Sequence, residues 1–474
     1  MDLQVPRIGK GLETILTPVR FLKGTLRLPG RKAGDWLWVH QRGAFLFRLK
    51  GWNFRITKGV NKEKGETMKK NSNILFLTIV FLIMFLPYLA HAQATKSVKI
   101  GVISAQSGPI AFMGTSVLRG AEIALRNVNE KGTLGKGPGG LLVGNQRYKL
   151  EIANYDDAGD PAKSVAGMRR LAEMYKLPVV LGPFGTPQVW ACQEVNVGLG
   201  ILFNGLSTSD QSRKKGNPLY IQERVPGLYY GEPMAQACFD KGFRKACVIT
   251  DINEAFLSWG KKFKEKFEAL GGQVLAFESV DIKNTTDYHS VMTSFRAKNP
   301  DLIFISCYEE PGALITNHAL DVGYKGKFMY TSEWGAKSEK IVGLDKVQGS
   351  LVQAMNYTYY RKYPDRDKRG VFTAFHKRYM DTYKEEYAQP ATSIYDPALM
   401  FARAMEIAGS VTDAQAIRAA CPKALQEGKL PLIYPNTDVL KNGLMWGAPE
   451  LLLEVKGDGY ILLKELKVAR EVLE

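Results

Sequence analysis

The chain has 474 residues, 45% of them hydrophobic and 23% charged, a composition that excludes a disordered or fibrous protein and a length that exceeds one ordinary core. Its formal charge of +17 is unevenly placed: residues 1–67 hold 14 Lys/Arg against 5 Asp/Glu, whereas residues 93–474 carry only +6, which is no argument for nucleic-acid binding. Five cysteines without a CxxC pair give little support to a structural zinc site or thioredoxin-like chemistry.

Residues 1–67 show no sustained helical or strand period. Such a basic stretch could be an anchor or interaction arm for acidic partners. The favoured expectation is that it lies outside the native product. Lys64-Gly65-Glu66-Thr67 would be encoded by AAR-GGN-GAR-ACN, a purine-rich run directly before the Met68 codon. From there Met68-Lys69-Lys70, the apolar run 74–86 and Ala90-His91-Ala92 supply the cationic start, apolar core and small-x-small cleavage site of a secretory signal. The run is too short to cross a bilayer core of ~30 Å comfortably, and Pro87 ends it. Cleavage near Ala92 would leave Gln93 first; no cysteine follows the cut, so no lipid anchor is expected. An uncut signal anchor is the alternative.

From residue 98 onward strands and helices alternate. Residues 98–103 read as a strand, and Val117, Ala121, Ala124, Leu125 and Val128 fall at helical spacing, ending near Gly132. A strand over 148–154 follows, then a helix opened by Asp160-Pro161 and running to about Tyr175. Residues 179–182 are a short buried strand, a helix starts at Pro187, and 201–204 is another strand. The rhythm resumes with strands at 246–250, 273–277, 302–306 and 328–331, separated by helices at 259–270, 288–298 and 313–322. Repeated βα units predict parallel sheets with helices on both faces. The fold class is therefore α/β, two doubly wound lobes. Residues 451–466, with Gly457-Asp458-Gly459 as a turn, read as an antiparallel hairpin. The cysteines sit in apolar surroundings, as in Lys245-Ala246-Cys247-Val248-Ile249, and are expected to be buried thiols.

Ligands of open α/β sheets bind beyond the carboxyl ends of strands. Three loops there stand out: Ser107-Gly108-Pro109-Ile110-Ala111-Phe112-Met113-Gly114, Gly182-Pro183-Phe184-Gly185-Thr186-Pro187, and Asn204-Gly205-Leu206-Ser207-Thr208-Ser209. Thr186 is expected to cap the helix that Pro187 opens, and free N–H groups beside a hydroxyl favour a carboxylate or phosphate. Simple helix capping is the competing explanation for each loop.

Taken in order, Ile100-Gly101-Val102, Ser107-Gly108-Pro109, Gly120-Ala121-Glu122-Ile123-Ala124, Asn127-Val128-Asn129, Tyr155-Asp156-Asp157-Ala158-Gly159-Asp160-Pro161, Val180-Leu181-Gly182-Pro183 and Ile394-Tyr395-Asp396 resemble the periplasmic substrate-binding proteins of branched-chain amino acid ABC transporters. The resemblance runs from about residue 98 to 463. It implies a ligand cleft between two lobes joined by a three-crossing hinge, with the first lobe in 93–226 and 356–440 and the second in 227–355 and 441–474. It also implies a monomer without cofactor or catalysis that delivers its ligand to an inner-membrane ABC permease. Carried over by position, Thr186 and Thr208, with Ser207 beside it, would hold the ligand carboxylate. Tyr308 and Glu333 would meet the ammonium group, and Phe256 would cover the ligand.

Departures from the family pattern concern the side-chain pocket. Met113, next to Phe112, stands where many relatives carry tyrosine, so a flexible thioether replaces a hydroxylated ring. Gly159 and Gly185 stand where some relatives carry a cysteine pair. With Trp190 and Trp334 near the cleft by position, an aromatic or other bulky carboxylate is as credible as leucine, isoleucine or valine.

Enzyme readings have little to stand on. Gly135-Lys136-Gly137-Pro138-Gly139-Gly140 satisfies GxGxxG, but it follows a helix, whereas dinucleotide binding needs a strand before it and a helix after. His289, His318 and His376 lie far apart, without metal-ligand spacing. The expectation is a cleft-closing binder of amino acids or similar small carboxylates in an ABC importer; a ligand-sensing receptor of the same fold and an amidase-type hydrolase are the rivals.

Overall fold

The computed structural model describes residues 96–474 apart from 332–333, 436 and 448, together with the backbone of three strands between residues 37 and 57. The expected secretory signal and its cleavage site lie outside the described residues, as does Glu333. The three early strands, β1 (Leu37–Gln41), β2 (Ala44–Leu49) and β3 (Trp52–Thr57), form an antiparallel sheet in that order. The sequence reading of residues 1–67 did not anticipate these short strands. Trp52-Asn53-Phe54-Arg55-Ile56-Thr57 does alternate apolar and polar residues, over a span too short to register as sustained. Gln41 faces Ala44 and Leu49 faces Trp52, leaving two residues for each connection; both pairs end in glycine, the composition of tight hairpins.

Residues 94–474 form a separate compact unit. Its first sheet contains β4 (Lys96–Ser104), β5 (Leu141–Val143), β6 (Gln146–Asp156), β7 (Val179–Phe184), β8 (Leu202–Leu206) and β9 (Tyr220–Gln222), in the order β5-β6-β4-β7-β8-β9. All neighbours run parallel except the β5–β6 hairpin. The second sheet contains β10 (Lys245–Asp251), β11 (Gln273–Val280), β12 (Leu302–Ser306), β13 (Lys327–Tyr330) and β14 (Leu351–Ala354), all parallel. A small hairpin, β15 (Asp438–Val439) with β16 (Met445–Trp446), precedes β17 (Glu450–Lys456) and β18 (Gly459–Leu466), which complete the second sheet antiparallel. These are the two doubly wound lobes the βα rhythm predicts. The Gly135–Gly140 run follows the helix Ala111–Lys131 and leads into β5, so it is a turn.

Strand burial explains the sequence pattern. Parallel strands covered by helices on both faces are apolar throughout; every residue of β7, β8 and β12 is buried. The chain passes between the sheets three times. It leaves β9 through the helix Leu228–Asp240 to reach β10. It returns after β14 to the helix Pro390–Ala408, which packs on Ala111–Lys131. Leu444 bridges to Gln222 on β9 before the final passage to β17. All five cysteines are buried and none forms a disulfide. Among the described residues no helix is long and apolar enough to cross a membrane.

One buried carboxylate in this scaffold sets a pH dependence. Asp396, on the helix Pro390–Ala408, accepts backbone N–H bonds from Ile433 at 2.7 Å and Tyr434 at 2.8 Å. Burial nonetheless raises its pKa to about 7. A folded-state pKa above the unfolded value means that its stabilising contribution is present at low pH and lost as pH rises through about 7. Asp251 behaves alike, raised by burial to about 6. Asp396→Asn should therefore flatten the fall in urea stability between about pH 4 and 7, removing up to about 1.4 kcal/mol per pH unit of slope. An unchanged slope would show that another group carries it.

Candidate functional site

The carboxyl ends of β7, β8, β10 and β12 converge between the lobes. Phe184, Gly185 and Thr186 at the end of β7, Leu206 and Thr208 at the end of β8, Asn253, Ala255 and Phe256 after β10, and Tyr308 after β12 line one cavity. Glu223 and Arg224 from the first passage between lobes, and Gln389 from the second, complete it. Thr186, Thr208, Phe256 and Tyr308 are thus brought together from four strand ends that lie far apart in sequence.

The β7 end is shaped by its backbone. Gly185 has φ 110°, a conformation open to glycine and strained for other residues, and its N–H donates to the Leu206 carbonyl at 3.0 Å. Gly185 is also the cap of the following helix, Thr186–Gln193, which corrects the expectation that Thr186 caps it. The Thr186 hydroxyl is committed elsewhere: its Oγ1 lies 3.0 Å from Ser207 Oγ, either atom donating. Ser207 is 1% exposed, sits 2.7 Å from Ser212 Oγ and accepts the Ser209 backbone N–H at 3.2 Å. Ser207 therefore stands behind Thr186 and orients it, and is not among the cavity-lining residues.

An aromatic wall faces these hydroxyls. Tyr308 packs edge-on against Phe256 with centroids 4.9 Å apart and meets Phe184 of the other lobe at 5.7 Å. Phe112 and Met113 do not line this cavity. They line a neighbouring one, together with Ile110, Ile282 and Lys283, and Tyr308 borders both spaces. The lobes touch at further points: Lys337 Nζ lies 4.5 Å over the Phe112 ring, and the Ser209 hydroxyl donates to Glu254.

Glu223 and Arg224 are cavity-lining residues that sequence reasoning missed. Their side chains are 3% and 7% exposed and their charged atoms lie 3.3 Å apart. The cavity lining thus holds a guanidinium and two threonine hydroxyls that can donate to an anion, alongside the Glu223 carboxylate. The available clue was an adjacent Glu-Arg pair between a buried strand and Val225-Pro226, where ionic side chains are expensive to bury without a partner.

The histidine expectation also needs correcting. His289 and His318 stack with ring centroids 3.9 Å apart, because the helices His289–Ala297 and Glu309–Asp321 lie side by side. His376 is separate; its Nδ1 lies 2.8 Å from Tyr387 Oη.

Comparison with known proteins fits this geometry. A family profile described as periplasmic binding protein matches residues 97–439. The Leu/Ile/Val-binding protein BraC3 of Rhizobium johnstonii is 24% identical over 360 residues, 75% of this chain and 89% of its own. The Leu/Ile/Val-binding protein of Escherichia coli K12 is 21% identical over 276 residues, 58% of this chain and 70% of its own. Among solved structures, the branched-chain amino acid binding protein LivJ of Streptococcus pneumoniae, in complex with isoleucine, superposes with TM-score 0.64 at 18% identity, over 79% of this chain and 99% of that one. A solute-binding protein of an ABC transporter from R. palustris, in complex with benzoate, gives 0.66 at 18% identity, over 79% and 98%. The chain belongs to the periplasmic binding protein family, in its two-lobed type I form.

Proposed function

We propose that this chain is the extracytoplasmic solute-binding component of an ABC importer and that it holds a small carboxylate by lobe closure. The observation that carries this reading is the single cavity faced by Thr186 and Thr208 from one lobe, Phe256 and Tyr308 from the other, and Arg224 between them. The ligand carboxylate sits against the hydroxyls and the guanidinium; its apolar or aromatic part lies on the Phe256–Tyr308 side. Where the ligand is an amino acid, branched-chain or aromatic, Tyr308 and Glu333 receive the ammonium group. Each lobe then holds one part of the ligand, and the closed form is what an inner-membrane permease engages. On this reading the protein is a periplasmic monomer, released after signal cleavage near Ala92, and it performs no chemistry on its cargo. The Leu/Ile/Val-binding relatives and the benzoate-bound neighbour support the ligand class.

The test is a thermal-shift and calorimetric panel of leucine, isoleucine, phenylalanine, benzoate and 4-hydroxybenzoate. A ligand at about 100 times its Kd should stabilise the protein by about 2.7 kcal/mol. Thr186→Ala should weaken the best ligand by about 1–3 kcal/mol, roughly 5- to 150-fold in Kd, because one pole loses its hydroxyl partner. Undiminished affinity in that variant would remove Thr186 from the site. Failure of every carboxylate to bind would overturn the reading.

A further inference from the structure

In the second lobe, at residues that line neither cavity, three side chains able to ligate a metal converge. Asp287, His289 and His318 each present one donor atom, and the three atoms lie within 4.8 Å of one another. Asp287 Oδ1 is 2.7 Å from His289 Nδ1 and 3.9 Å from His318 Nδ1. A second carboxylate, Asp321 Oδ2, is 3.7 Å from His289 Nε2.

We propose that these residues form a binding site for a divalent transition metal of the zinc class, built across the entry of one helix and the exit of its neighbour. Two imidazoles and one or two carboxylates are a borderline nitrogen–oxygen donor set. They suit Zn²⁺, Ni²⁺ or Cu²⁺ better than the all-oxygen preference of Ca²⁺ or Mg²⁺. The His318 ring is oriented before any metal arrives. Its Nδ1 accepts the Tyr288 backbone N–H at 3.0 Å, which keeps that nitrogen unprotonated, 3.9 Å from Asp287 Oδ1. A metal taking that nitrogen's lone pair displaces one hydrogen bond at the start of the helix His289–Ala297 and gains a coordinate bond in its place. The carboxylates are well suited to close in. Their side chains are 77% and 64% exposed, so small rotations bring the donors from their present separations to the 2.0–2.2 Å bonds of a bound zinc ion. Two negative charges also balance the ion, and the carbonyl end of the helix Glu309–Asp321 adds attraction for a cation.

The site would act as a staple. His318 and Asp321 close the helix that Tyr308 caps, and Asp287 ends the loop whose Ile282 and Lys283 border the second cavity. A bound ion ties that loop to that helix without entering the cleft.

The experiment is Zn²⁺ titration of the full chain, untagged and stripped with chelator, by calorimetry, with Co²⁺ absorption as the coordination probe. The expected result is one saturable site with visible Co²⁺ d–d bands of low-coordinate geometry. His289→Gln and His318→Gln should each weaken it at least about tenfold, since even partners one shell removed cost that much. Asp321→Asn, whose carboxylate is farther off, should weaken it less. Circular dichroism of the half-exposed His289 variant checks that the fold is kept. Absence of a saturable site, or a site that neither histidine variant weakens, overturns the proposal.

Discussion

Arg224→Gln is expected to lower folding stability by about 3–5 kcal/mol at neutral pH and to abolish most carboxylate binding. The stability loss follows from what remains behind. The Glu223 carboxylate is 3% exposed and its oxygen lies 3.3 Å from the guanidinium; with that cation gone, a buried charge loses its nearby counterpart. Breaking a buried ion pair from one side is costly, because the remaining charge gives up an attraction that had offset its lost hydration. Binding is lost for a second reason. A neutral amide offers a carboxylate one hydrogen bond where the guanidinium offers a charged fork. Arg224→Lys, which keeps the charge and loses the fork, should fall between the two. Urea melts and calorimetry with the best ligand of the panel read both effects on the same samples.

What the sequence revealed and what it hid divide along a physical line. The βα rhythm was legible because buried parallel strands announce themselves by unbroken apolar runs. Residues 302–306 match β12 residue for residue, and the Asp160-Pro161 start matches a helix whose Asp160 side chain accepts the Lys163 N–H at 2.9 Å. Strand-end loops were legible as places for ligands, which marked the segments of Thr186 and Thr208, while Phe256 and Tyr308 were named only through the family resemblance; all four line one cavity. Contributions from the passages between lobes were not legible. Glu223, Arg224 and Gln389 lie in segments with no strand or helix period, and only the third dimension carries them to the cavity wall. Short elements escaped for a related reason: β9 spans three residues and the helix Asp210–Lys214 five, too few for a period to emerge. His289 and His318 meet only because two helices pack side by side, which their separation in the chain does not disclose. The Thr186 error was one of competing partners. A threonine before a proline-opened helix is a good cap, but Ser207 on the adjacent strand end offers its hydroxyl a partner and Gly185 takes the cap position.

The family-like stretch Gly120-Ala121-Glu122-Ile123-Ala124 yields the second large effect. Gly120 lies on the helix Ala111–Lys131 where it crosses Pro390–Ala408, and the two backbones meet there almost without intervening side chain. A methyl group at residue 120 would fall 2.2 Å from the Ala391 carbonyl oxygen and 2.8 Å from both the Ala391 Cα and the Ile394 Cγ2. Two of those three atoms are backbone, so no rotamer change relieves the clash and the helices must separate. Gly120→Ala should therefore destabilise the protein by about 2–3 kcal/mol, the cost of overpacking exceeding the gain of about 1 kcal/mol that alanine brings to a helix interior. The damage should be local to the first lobe, since both helices pack there and the second reaches it only on the return passage. Hydrogen exchange should quicken in residues 111–131 and 390–408 before it does in β10 and β12. Gly137→Ala is the matched control, because a methyl group there meets nothing within 4 Å. If Gly120→Ala melts with the wild type in urea, the close helix crossing is not what holds the chain's return to its first lobe.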